Sequence, residues 1–158
     1  MATSLNTSRP VKTQEVNYAP RVRTITASET LTNGSDGQTI LLDAAAGLTV
    51  TLPAAVGSGW KAKFIVKTTV TSNNDVIQVA NATDVMTGVA ILGQDAADTV
   101  VLFETASTSD TITMNGSTKG GILGDCIEIE DIASGLFYVR MIGSATGTEA
   151  TPFSAAVS

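Results

Sequence analysis

Four carboxylates crowd one short stretch of this chain, where Asp125, Glu128, Glu130 and Asp131 surround Cys126, Ile127 and Ile129. Successive side chains of a β-strand point to opposite faces, so Glu128 and Glu130 share one face. A carboxylate pair of that kind can run the acid and base steps of glycoside hydrolysis, or supply oxygens to a calcium ion. The simpler reading is the solvated outer face of a strand, and nothing nearby supplies an aromatic platform for a sugar. Cys126 falls on the same face as the two glutamates. Acidic neighbours raise a thiol's pKa, which suits a half-buried filler or a subunit contact better than a nucleophile.

The rest of the chemical inventory is short. The chain has no histidine and one cysteine, which excludes a Cys/His zinc site, an intrachain disulfide, and both Ser-His-Asp and Cys-His nucleophiles. Gly57-Ser58-Gly59 is spaced like part of a phosphate loop, but such a loop leads from a strand into a helix. Here Pro53 stops one strand and another begins at Trp60, so the glycines serve a turn. The sequence therefore points to no catalytic, cofactor or metal site and to no small-molecule substrate.

The elements that would carry these residues read as short strands. At 158 residues with 43% hydrophobic and 4% aromatic content, the chain supports one domain whose core is built from Val, Ile, Leu and Ala. Strands are expected over 24–32, 38–43, 48–52, 60–69, 76–79, 85–92, 99–105, 111–115, 126–130 and 136–143. Alternation is clearest at Val50 and Leu52, at Ile112 and Met114, and at Ile127 and Ile129. A strong turn cluster, Asn33-Gly34-Ser35-Asp36-Gly37, separates the first two. With no helix in prospect, the expected fold is a single all-β domain, a β-sandwich or jelly roll. No repeat of about 20–50 residues is evident, so a solenoid is not expected.

Three regions follow: an extended N-terminal arm over 1–23, the sandwich over 24–143, and a flexible C-terminal tail over 144–158. Residues 1–25 carry four bases against one acid, a net of +3, whereas the remainder nets −9. An acidic body repels phosphates, which argues against nucleic-acid binding by the whole protein. Arg9, Lys12, Arg21 and Arg23 could form a nucleic-acid arm, a nuclear-import patch or a docking arm for an acidic protein surface. Only Tyr18 is interleaved among them, where single-stranded nucleic acid wants stacking aromatics, so protein docking is favoured. Ordering such an arm costs roughly 1–2 kcal/mol per residue, more than its few apolar side chains can offset, so a partner is expected to order it. No apolar run approaches the ~20 residues of a spanning helix, and the first residues lack a signal-like apolar core. A soluble protein made in a cytoplasm, with no membrane partner, is expected.

The runs Gly37-Gln38-Thr39-Ile40-Leu41-Leu42-Asp43 and Gly47-Leu48-Thr49-Val50-Thr51-Leu52-Pro53-Ala54-Ala55, with Phe64 and Val66 beyond the glycine turn, resemble β-modules of tailed-phage structural proteins. So do Gly124-Asp125-Cys126-Ile127-Glu128-Ile129 and Gly135-Leu136-Phe137-Tyr138-Val139. The family resembled is that of capsid decoration (cement) proteins, whose modules also occur in phage fibres. The resemblance implies a non-enzymatic homotrimer on the outside of a virion, bound to the major capsid protein. In that setting Arg9, Lys12, Tyr18, Arg21 and Arg23 would be the docking arm. Two alternatives stay open: a tail-fibre or baseplate module for a host receptor, and a carbohydrate-active β-sandwich enzyme using Glu128, Glu130 or Asp125.

Overall fold

A computed structural model describes residues 21–96 and 98–158. Twelve strands follow in chain order: β1 (Val22–Ile25), β2 (Glu29–Thr30), β3 (Gln38–Leu42), β4 (Thr49–Thr51), β5 (Lys61–Val66), β6 (Asp75–Gln78), β7 (Val85–Gln94), β8 (Val100–Glu104), β9 (Thr111–Met114), β10 (Cys126–Ala133), β11 (Leu136–Ala145) and β12 (Phe153–Ser154). They form a seven-stranded sheet, β1-β3-β5-β10-β11-β7-β8, and a five-stranded sheet, β12-β9-β6-β4-β2. The two sheets pack face to face, which is the all-β sandwich the residue pattern predicts.

Alternation explains which side of each strand is inside. Ile40 and Leu42, Phe64 and Val66, Ile127 and Ile129, and Val139 and Met141 point inward from the larger sheet. Val50, Ile77, Ile112 and Met114 meet them from the smaller one. Trp60 closes one end edge-on to Phe137, with ring centroids 6.4 Å apart.

The pairing is mixed. The first six strands alternate between the sheets, and β1, β3 and β5 stack parallel, as do β2, β4 and β6. This makes three parallel rungs inside the sandwich. The rungs leave no sequence repeat because their offsets differ, Val22 pairing with Thr39 but Gln38 with Ala62. Beyond them, β7 and β11 run parallel over ten residue pairs, from Leu136–Val85 to Ala145–Gln94.

Both outer boundaries need correction. The arm expected to reach Arg23 ends sooner, because Val22 and Arg23 already belong to β1 and pair with Thr39 and Ile40. The tail expected to be loose from Ser144 is built into the fold: β11 continues to Ala145, and Phe153 and Ser154 pair with Ile112 and Thr111. Burial of Phe153, with Val157 packed against the core, supplies the driving force that the small polar residues around them lack. The stretch 24–32 also divides, with Ile25 ending a strand of one sheet and Glu29 opening a strand of the other.

Buried aspartates tie the loops to this frame. Asp84 accepts from Ala55 N–H and Asn81 Nδ2, both at 2.9 Å. Asp110 accepts from Ala156 N–H at 2.8 Å and so holds the C-terminal residues. Asp75 takes Leu48 N–H at 3.0 Å, while its second oxygen has no partner among the described residues. Loop backbone must find hydrogen-bond partners when covered, and a short carboxylate supplies two acceptors.

Candidate functional site

The carboxylates that attracted notice in the sequence do not act as one group. Asp125 and Asp131 share the parity of Ile127 and Ile129 and are buried with them, whereas Glu128 and Glu130 stand on the outer face. Asp125 receives the N–H groups of Gly121 at 2.8 Å, Ile122 at 3.1 Å and Ser144 at 2.9 Å. Burial pushes its carboxyl above the ordinary range, and those three donors pull the other way. A Cβ on Gly143 would lie 2.6 Å from the Asp125 carboxyl carbon, so the strand approaches this side chain as only glycine allows.

Asp131 clasps the glycine turn. It accepts from Val56 N–H at 3.1 Å, Gly57 N–H at 2.8 Å, Ser58 N–H at 2.8 Å and Ser58 Oγ at 2.7 Å. Burial alone would raise its pKa, but these four bonds outweigh it and hold the carboxyl below its ordinary value. The Gly57-Ser58-Gly59 turn is thus occupied by the protein's own anion.

On the outer face, strand register sets Lys63, Glu128 and Arg140 side by side on β5, β10 and β11. Lys63 Nζ is 3.1 Å from one Glu128 oxygen, and Arg140 pairs with the other. Hydrogen bonds from Arg140 and Lys63 hold Glu128 below the usual carboxylate range. Glu128 is therefore held as an anion between two cations. The next row sets Lys61, Glu130 and Tyr138 together, so an aromatic ring does adjoin the acidic pair. Period-2 counting within one strand could not show this, because Tyr138 arrives from β11. These two rows line an open groove of about 440 Å³, and Gln38 and Thr39 of β3 line it as well.

Cys126 is half-buried on this same face. Burial is the main reason its thiol pKa rises; Lys63 and Arg140 oppose the rise and Glu128 adds to it. The acidic surroundings expected of it are thus only part of the cause.

A second row crosses the outer face beside the charged one. Register aligns Leu41, Ile65, Cys126, Ile142, Ile91 and Leu102 on six neighbouring strands. Ile142 and Leu102 are each 53% exposed. No single strand carries the signal for this apolar stripe, since each contributes one residue.

Of the expected docking residues, Arg9, Lys12 and Tyr18 lie outside the described residues. Arg21 is exposed where the chain joins the larger sheet, and its carbonyl accepts Thr39 N–H at 2.6 Å. Arg23 is engaged within the body: its guanidinium pairs with Glu29, and its Nε donates to Gln38 Oε1 at 2.9 Å. The bond to Glu29 raises its pKa further.

Comparison with family models, with curated proteins and with solved structures finds no match in any of the three.

Proposed function

We propose that this protein is a structural component of a phage virion, a decoration protein that binds the outer surface of the capsid and stabilises it. The observation that carries the reading is the division of charge between a basic leader and an acidic body. With Arg23 counted in the body, where it pairs with Glu29, residues 1–21 carry Arg9, Lys12 and Arg21 against Glu15, a net of +2 against −8 for the remainder, and the leader meets the body at Arg21 on the edge of the seven-stranded sheet. Opposite charge steers such a leader onto an acidic neighbouring surface. The major capsid protein is the partner, and the virion exterior is the location. The buried aspartates add support, because Asp84, Asp110, Asp125 and Asp131 are committed to the protein's own backbone. The residues that carry the resemblance serve the same framework: Pro53 follows β4, Phe64 and Val66 fill the core from β5, and Asp125 holds its turn.

The test is co-sedimentation with capsids of the phage that encodes the chain. Full-length protein should travel with the capsids, and a variant lacking residues 1–20 should stay behind while keeping its β-sheet circular dichroism. The deletion stops before Arg21 because Val22 opens β1. Undiminished binding by the truncated protein refutes docking through the leader.

A second reading has its own observation. The three parallel rungs end at β1 and β2, which are edges of their sheets, and stacked parallel rungs are what a fibre shaft extends. A tail-fibre or baseplate module is the corresponding function, and labelling on the tail would select it.

A further inference from the structure

We propose that two copies of this chain associate through β8, edge to edge and antiparallel, joining their seven-stranded sheets across a two-fold axis. β8 is the last strand of its sheet and pairs only with β7. Gln94 N–H donates to Thr99 C=O and Thr105 N–H to Gly88 C=O, which fixes the alternation of the ladder between these strands. Thr99, Val101, Phe103 and Thr105 therefore turn their backbone groups toward β7, and Val100, Leu102 and Glu104 turn theirs away. None of these outward groups has a hydrogen-bond partner among the described residues.

The strand carries little of the usual protection of an edge beyond one charge, Glu104, at its end. Val100–Glu104 contains no proline and no lysine, and its pairing with β7 carries no bulge. Val100 is 66% exposed and Leu102 53%, while Val101 and Phe103 on the other side are half-buried. Leu102 also ends the apolar row of the outer face, so pairing there continues Ile142, Ile91 and Leu102 into the same row of a second copy.

The occupant is a second copy because the strand complements itself. With the axis at Leu102, each Leu102 faces its equivalent and Val100 faces Glu104 of the other copy. The outward backbone groups of the two strands then meet in hydrogen-bonded pairs, as a two-fold contact requires. Sliding the register so that Val100 faces Leu102 would set Asp98 against Glu104, two like charges directly opposed. Sliding it the other way sets Val100 against Ala106 and Leu102 against Glu104, which loses the apolar match. The Leu102-centred register avoids both. An edge contact of this length falls below about 1,200 Å² in total, the size range of weak, transient contacts.

Sedimentation of the full chain up to roughly 200 micromolar tests this. The expected result is a reversible monomer–dimer equilibrium. Leu102→Pro removes an N–H that points away from β7 and so spares the β7–β8 ladder, and Leu102→Lys sets a charge on the two-fold axis. Both should weaken association at least about tenfold with unchanged circular dichroism. Val22→Lys, on the opposite edge of the sheet, should leave the dimer intact. A wild-type chain that stays monomeric, a trimer such as the resemblance implies, or a dimer that survives both Leu102 variants overturns the proposal. Capsid binding is a separate measurement, so this proposal and the decoration reading can fail independently.

Discussion

Asp75 gives the sharpest quantitative test of the packing described above. Its side chain is fully buried, one oxygen takes Leu48 N–H, and the other has no partner among the described residues. Burial raises its pKa from 3.8 to about 6, with the Leu48 bond opposing the rise. Between those values the native protein holds a proton that the unfolded chain has lost. Stability therefore falls as pH rises through that window and levels off above it. At 1.36 kcal/mol per pH unit, the full excursion is about 3 kcal/mol. Other carboxylates titrate nearby, so the measurement is a difference: urea denaturation of wild type and Asp75→Asn between pH 4 and pH 7.5. The fixed cost of placing an amide there cancels. Because pH 4 already lies just above the unfolded value, the stability of wild type relative to the variant should fall by about 2.5 kcal/mol from the acid to the neutral end of the range. A difference that stays flat with pH would refute the claim that this carboxylate is buried without compensation.

Three further outcomes follow from the same structure. Asp131→Asn turns one acceptor into a donor against the turn it clasps, so hydrogen exchange at Val56, Gly57 and Ser58 should accelerate. Because the Asp131 pKa is lowered, its stabilising effect is present at neutral pH and disappears as pH falls through the folded-state value. Gly116→Ala should destabilise by at least about 3 kcal/mol in urea melts, since φ is 73° and a Cβ would lie 1.8 Å from Val70 carbonyl oxygen. Phe153→Ala should cost about 3 kcal/mol and expose the C-terminal residues to limited proteolysis. An unaffected melting midpoint would mean that β12 is not part of the cooperative fold.

The sandwich was legible because most strands face water on one side and the core on the other. Val50 and Leu52, Ile112 and Met114, and Ile127 and Ile129 mark that alternation in four or five residues each. β7 was harder: Gly88 and Gly93 interrupt it, yet it is one of the two longest strands because pairing with β11 and β8 on both sides sustains it. β12 was invisible because two residues carry no period, and one phenylalanine anchors it through a contact far away in sequence. The three rungs were hidden by loops of unequal length, which erase a repeat without disturbing parallel register.

The site was legible only within single strands. Parity alone assigns Asp125 and Asp131 to the face of Ile127 and Ile129, and their nearness to Glu128 in the chain is what made them look like one group. What the sequence could not show is lateral. Lys63 and Arg140 reach Glu128 from neighbouring strands, Tyr138 reaches Glu130 the same way, and the apolar row takes one residue from each of six strands. Strand order decides such neighbours, and strand order is a property of the whole fold. The basic residues near the N-terminus are readable directly, but the fold moves Arg23 from the leader into β1 and pairs it with Glu29.

Electron cryo-microscopy tests the proposed decoration role most directly, beginning with whether purified virions contain the chain at all. The decoration account predicts sandwich-shaped density on the outside of the head, with the N-terminal leader continuing from the sheet edge at Arg21 down onto the shell. Density at the tail, or a head whose surface lacks this body in virions that contain the chain, would contradict it.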